Sequence, residues 1–244
     1  LFQAISMGMG YPNNQLPFRL LAQRLPLGRL IQDPESAEAL LFGVAGHLPT
    51  SAILDLACEA RSHVRKLWER WWPHRIALQS LQIPSAIWRM HGQRPANHPL
   101  RRLGALSVLV RHWRSLKRLI AANDWKCTTT LLRGLTHPFW THHYTLHSGP
   151  TPKPLALIGA ERVEELLSNS LLPFSGDWQK LSALRTREQN RRSRTAAARL
   201  LAGRSDARKL LSHAACQQGL IQLYEDFCRC DTSDCIHCRF PERS

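Results

Sequence analysis

Leu100-Arg-Arg-Leu-Gly-Ala-Leu-Ser-Val-Leu109-Val-Arg-His-Trp113-Arg-Ser-Leu-Lys-Arg-Leu-Ile120-Ala-Ala122 is the stretch that decides the fold. Leu103, Leu106, Leu109, Val110, Trp113, Leu116 and Ile120 recur at three- and four-residue spacing, the period of a helix with one apolar face. Arg101, Arg102, Arg111, Arg114 and Arg118 fall outside that stripe and are expected to point outward or flank it. Shorter stretches of the same kind recur along the chain, and no long run alternates with the two-residue period of a strand. The expected fold class is therefore all-α, a multi-helix globular bundle.

Just upstream lies Trp88-Arg89-Met-His-Gly-Gln-Arg94-Pro95-Ala-Asn97-His98-Pro99. The prolines disfavour a helix before them and predict an extended segment running into a helix that starts at Pro99. Arg89, Arg94, Asn97 and His98 then stand beside a helix N-terminus, where amide groups and arginines together favour an anion. The competing reading is a structural loop pinned by Asn97.

Further towards the N-terminus, Gly10-Tyr-Pro-Asn-Asn14 reads as a turn. Leu16 to Leu25 reads as a short helix stopped by Pro26, and Asp33-Pro34-Glu35 as a helix start. Thr50 or Ser51 is expected to cap a longer helix ending at Trp71-Trp72-Pro73, its aromatics packed in a core. Downstream, His137, His142, His143 and His147 cluster with Phe139 and Trp140. His143 and His147 have the i,i+4 spacing of a helical metal pair, but without an adjacent acid aromatic packing is the expected role.

Ser148-Gly-Pro-Thr-Pro-Lys-Pro154 is the expected linker, dividing a Trp- and Arg-rich helical region, 1–147, from a second helical region, 155–244. Ile158-Gly159 ahead of a helix loosely matches the turn of a DNA-binding helical hairpin. The chain opens on Leu1, already within a helical pattern, which predicts a piece of a longer protein. No run of about 18 apolar residues exists to span a membrane, no signal segment is visible, and a reducing cytoplasm is the expected location.

Net charge is +15, and 27 of the 33 basic residues are arginine. Arg89 to Arg118 holds eight basic residues and no acid; Arg185 to Lys209 holds nine against two acids. Such concentration suits phosphate neutralisation. The alternatives are an Arg-rich surface reflecting genome composition, or an interface for an acidic protein partner.

Cys228-Arg-Cys230-Asp-Thr-Ser-Asp-Cys235-Ile-His-Cys238 places four of the seven cysteines in eleven residues after a helical stripe. The C-x-x-C pair and the C-x6-C spacing suit Cys228, Cys235 and Cys238 as metal ligands, with Cys230, His237, Cys216 or a remote residue as the fourth. Zn²⁺ or an iron–sulfur cluster is expected, against the alternative of disulfides or free thiols.

Gly10-Tyr-Pro-Asn-Asn14 with Leu21-Ala22, Glu38-Ala-Leu-Leu-Phe-Gly43, Arg94-Pro-Ala-Asn97-x-Pro99 and Gln217-Gln218-Gly219-Leu220-x-Gln222-Leu223, followed by the cysteines, resemble in content and order an uncharacterised bacterial family known only as a domain of unknown function. The resemblance implies an all-α, metal-bearing region that follows an N-terminal portion with Gly-Pro-Asp-Phe-like motifs. This chain lacks that portion, so a catalytic half is expected upstream. A fainter likeness joins the cysteine loop to that of iron–sulfur helix-hairpin-helix DNA glycosylases, although the position of their fourth ligand is Ser244 here.

The expected function is a nucleic-acid-binding helical region stabilised by a cysteine-ligated metal. Arg89, Arg94, Asn97, Arg101, Arg102, Arg191, Arg192 and Arg194 are the expected nucleic-acid contacts. The alternatives are the non-catalytic part of a DNA-processing nuclease or glycosylase, and a protein-interaction scaffold. No triad, paired carboxylates or phosphate loop supports catalysis within these residues.

Overall fold

The computed structural model describes residues 1–49, 53–186 and 191–229. Among these the chain is helical and forms no strand, only an isolated bridge between Arg185 and His213. It divides into two compact units, Leu1–Ser175 and Gly176–Ser244.

The first unit opens with α1 (Phe2–Met9) packed against α2 (Tyr11–Arg24). The expected turn at Gly10–Asn14 is a kink within α2: Asn14 leaves helical geometry, and Pro17 follows inside the helix. After α3 (Leu27–Gln32) comes α4 (Ala37–Val44), every residue of which is buried. Asp33 receives the Ser36 N–H at 3.2 Å and so fixes the entry to α4. The exit is a left-handed glycine: Gly46 has φ +73°, its N–H bonds Gly43, and the His47 N–H bonds Phe42. This is the paired closure that ends many helices, and it needs a residue without Cβ. The Ile83 carbonyl also occupies the space a Cβ would take.

The helix expected after Thr50 and Ser51 starts later, as α5 (Cys58–Trp71), and the two proposed caps lie outside the described residues. A short α6 (Arg75–Leu78) and single-turn segments then lead to α7 (Pro99–Arg111). Here lies the main departure from the sequence reading. The expected helix 100–122 breaks at His112 into α7 and α8 (Trp113–Ala121). Residues 99–110 are buried on all sides, Arg101 and Arg102 included. α7 contacts α1, α3, α4 and α8 and is the central helix of the unit, whereas α8 is the amphipathic surface helix.

After α9 (Trp125–Arg133) no helix forms until α10 (Ala160–Leu166). A wide turn at Leu167–Leu171 carries α10 into α11 (Leu172–Ser175). The helical hairpin read into Ile158-Gly159 is thus corrected: no helix leads into that glycine. The expected linker 148–154 is not where the units part. Thr151 bonds His142, and Leu155 bonds Thr141, all within the first unit; the division falls at Ser175–Gly176.

The second unit comprises α12 (Trp178–Ala183), capped by Asp177, α13 (Arg191–Leu200), α14 (Ala207–Leu210) and α15 (Ala214–Leu223). A wide turn at Tyr224–Cys228 extends α15. Its core forms where α12 and α13 meet α15, around Leu181, Ala196 and Ala214.

Candidate functional site

Three arrangements in the first unit carry chemistry. The deepest is built on Glu38, a carboxylate in the otherwise apolar α4. Its Oε2 lies 2.9 Å from His137 Nε2, and its Oε1 accepts the Trp140 indole N–H at 2.7 Å. Both backbone N–H groups of Phe139 and Trp140 donate to His137 Nδ1, which leaves the ring's proton on Nε2, facing Glu38. His63 Nε2 lies 3.2 Å from Oε1, on the same side of the carboxylate as the Trp140 indole. Burial works to raise the Glu38 pKa, but His137 and His63 overcome it and hold the carboxylate far below its ordinary range. Phe139 is stacked between His63 and His143, at 4.4 and 4.0 Å. His143 donates from Nδ1 to the Phe139 carbonyl, and its Nε2 faces the exposed Glu59 at 3.3 Å. His137 and His143 therefore join this packed network, and His147 goes elsewhere: no helix spans 134–159, so the i,i+4 pairing of His143 with His147 is not formed.

The second arrangement gathers the arginines at the start of α7. Arg101 donates to the carbonyls of His143, Leu155 and Ala156, at 3.3, 3.2 and 3.1 Å. Arg102 donates to the Leu157 carbonyl and to Asn97 Oδ1, both at 2.9 Å. Their expected outward placement is corrected: the planar fork of each guanidinium satisfies carbonyls of a segment that has no helix of its own. Tyr11, held at φ +53°, lies beneath the guanidiniums of Arg162 and Arg102, 3.2 and 5.2 Å from its ring centre. Arg162 also bonds the Gly8 carbonyl and pairs with Glu165. Burial, offset in part by Tyr11 and reinforced by Arg162 and Arg101, draws the Arg102 pKa down to about 10, so it remains charged at neutral pH. Asn14 makes two bonds to the Arg89 backbone, 3.0 Å to its carbonyl and 2.8 Å from its N–H. The Arg89 and Arg94 side chains stay exposed. In the second unit Arg191 and Arg194 are exposed on α13, and Arg192 faces Glu225 at 3.6 Å.

The third arrangement is an open cleft of about 260 Å³. Leu56, Leu100 and Leu146 wall it, Pro49 adds an apolar edge, and His47 and His147 line it. The Gly46 turn delivers His47, and the extended residue before α7 is His98. Burial, reinforced by His98, lowers the His47 pKa to about 4; burial, with His91 and His147 adding to it, lowers that of His98.

The basic surface lies on α8. Arg114, Lys117 and Arg118 share one exposed face and, among the described residues, have no acidic partner. From Arg70 to Ala160 the chain carries thirteen lysines and arginines and one acid, Asp124, which caps α9 by accepting the Cys127 N–H.

Cys228 is half-buried at the end of its wide turn. Cys230, Cys235 and Cys238 lie outside the described residues, as does His237. Among the described residues no group of three His, Cys, Asp or Glu is placed to hold a metal ion, and no helix is long and apolar enough to cross a membrane.

The sequence reading missed the Glu38 network and His47. A lone glutamate in Ala37-Glu-Ala-Leu-Leu-Phe-Gly-Val44 was the available signal for the first, because a carboxylate inside an apolar helix needs donors. Gly46-His47, a helix-ending glycine followed by an imidazole, was the signal for the second.

These features define an all-helical protein with a buried carboxylate–histidine network and an arginine-braced central helix. The chain belongs to the family described as Protein of unknown function (DUF2851), whose model matches residues 1–200. No curated protein and no solved structure matches the chain, so the fainter likeness to DNA glycosylases gains no support there.

Proposed function

We propose that the chain binds nucleic acid through its phosphate backbone, and that α8 supplies the central contacts. The observation that carries this reading is the exposed, acid-free face of Arg114, Lys117 and Arg118 within a stretch of thirteen basic residues and one acid. A cationic face without internal neutralisation holds polyanions by releasing their counterions. Arg89 and Arg94, exposed in the loop before α7, and Arg191, Arg192 and Arg194 on α13 belong to the same reading. Arg101, Arg102 and Asn97 support it from within, by fixing α7 and the loop beside it. A metal held by Cys228 with Cys230, Cys235 and Cys238 remains part of the proposal as a structural staple, read out by zinc and iron analysis of the purified chain.

The test is fluorescence anisotropy with labelled single- and double-stranded oligonucleotides across a salt series. The slope of log K against log salt is expected to fall by about 3 when Arg114, Lys117 and Arg118 are all replaced by alanine. Binding that ignores salt, or a slope unmoved by the triple variant, defeats the reading. An acidic protein partner is the other source of the same charge complementarity, and retention on a heparin column without oligonucleotide binding would favour it.

A further inference from the structure

The end of α5 carries an aromatic arrangement that the core does not absorb. Trp71 packs inside, but Trp72, which begins the turn into α6, points outward and is 56% exposed. The expectation that both aromatics pack in a core is thereby corrected. The Trp72 indole is held in place by two neighbours. The Arg75 guanidinium lies 3.4 Å over the ring centre and donates to the Trp72 carbonyl at 2.9 Å. Trp68 meets the ring at a tilt of 59°, with centroids 6.4 Å apart, and is itself anchored by its indole N–H on the Pro49 carbonyl at 2.8 Å. With one face under Arg75, an exposure of 56% leaves the other face of Trp72 in solvent. Ile76, beside Arg75, is exposed as well and widens this apolar ground.

The setting of this ring is cationic. From Arg61 to Arg75 the chain holds five basic residues and one acid, Glu69. Glu35 Oε2 is shared by Arg70 and Arg111, at 3.4 Å from each. The end of α5 therefore lies beside the end of α7, where α8 and its basic face begin. A flat aromatic face next to unneutralised cations fits a ligand that carries both flat rings and phosphates. Every nucleobase has such a face, and stacking on it does not depend on sequence. In a duplex those faces are covered by the neighbouring bases, so a surface indole reaches only an unpaired one. Because Arg75 and Trp68 already fix the ring, stacking on it costs little further ordering.

We infer that the nucleic acid this chain takes is single-stranded, with an unpaired base stacked on the open face of Trp72 while α8 holds phosphates of the same strand. The inference rests on the phosphate-backbone reading above and narrows it to one class of strand. The two are separable, because α8 acts through charge and Trp72 through a base face. Removing the bases from a strand abolishes the second and leaves the first.

The experiment measures binding of the full chain to three labelled ligands at fixed salt: a short strand of mixed sequence, its duplex, and an abasic strand of the same length. The parent should prefer the ordinary strand to both others. Trp72→Ala should weaken binding of the ordinary strand at least about fivefold, the low end of base stacking, and leave the duplex and the abasic strand as they were. Trp72→Phe, which keeps a flat ring, should restore most of the loss. Trp72 lies at the surface, so the alanine variant should unfold in urea at the parent's midpoint. The Arg114, Lys117 and Arg118 triple alanine variant should lower the salt slope for all three ligands and keep the preference for bases over abasic sites. A parent that prefers the duplex, or a Trp72→Ala loss equal on all three ligands, overturns the inference. So does an ordinary strand bound undiminished by Trp72→Ala, the result expected if this surface covers a protein partner instead. In these cases salt-dependent binding that persists leaves the reading of α8 standing. Absence of salt-dependent binding to any of the three defeats that reading and the inference with it.

Discussion

The Trp140 indole donates to the buried carboxylate of Glu38 over 2.7 Å, across 102 positions of sequence. That one bond ties the aromatic segment after α9 to the wholly buried α4. The same carboxylate takes His137 on its other oxygen, so Glu38 is the point at which residues far apart in the chain are made to agree.

Glu38→Gln should therefore destabilise the first unit by about 3 kcal/mol, because the amide keeps the size but puts donors against donors and removes the charge the histidines face. Urea unfolding followed by tryptophan fluorescence measures it. A change below 1 kcal/mol would mean that the network is not under tension between burial and bonding.

Acid should weaken the fold in two windows. His47 is held neutral to about pH 4 in the folded chain, whereas an unfolded histidine takes its proton near 6.5. The unfolded state then binds more protons, and stability falls as pH drops from about 6.5 to 4. Glu38 has the opposite chemistry with the same outcome. Its folded pKa lies below the ordinary 4.5, so its contribution is complete above that value and is lost as pH falls beneath it. Stability measured from pH 8 to 3 should show both declines, and His47→Phe should shrink the upper one, to which the lowered pKa of His98 also contributes, while leaving the lower one in place.

Gly104→Ala is the third case. The residue sits in the middle of α7, where alanine normally gains about 1 kcal/mol in helix propensity. Here an added Cβ would lie inside the van der Waals envelope of Trp140 Cδ1 and Nε1. Overpacking of this kind costs about 1–3 kcal/mol. It would also move the indole off Glu38, so a net loss of about 2 kcal/mol is expected in thermal or urea unfolding. A stabilised variant would show that Trp140 yields freely.

The sequence made the helical class and most helix positions readable, because period and caps act within a few residues. Asp177 and Asp124, each capping the helix that follows, are local in this sense. What it concealed was long-range compensation. Arg101 and Arg102 break the apolar stripe and so read as surface residues. They lie inside because the carbonyls that receive them come from residues 155–157 and 143, more than forty positions away. The helix 100–122 read as one because the apolar period runs unbroken through His112, where the chain turns. The candidate site was half visible for the same reason: His98 and Asn97 stood out beside α7, whereas His47 reaches the cleft only through the Gly46 turn and a neighbour, Trp88, that no local pattern assigns.

The guanidiniums at the start of α7 bear on how the chain tolerates change. A lysine at position 101 or 102 would keep the charge but present a single rotating ammonium where two or three fixed carbonyls wait. The commonest basic exchange is therefore closed at these positions, as it is at Arg162 over Tyr11. Part of the arginine excess that looks like compositional bias is thus a mutational constraint: substitution libraries should find these three arginines intolerant of lysine while Arg114 and Arg118, a few residues along the same sequence, accept it freely.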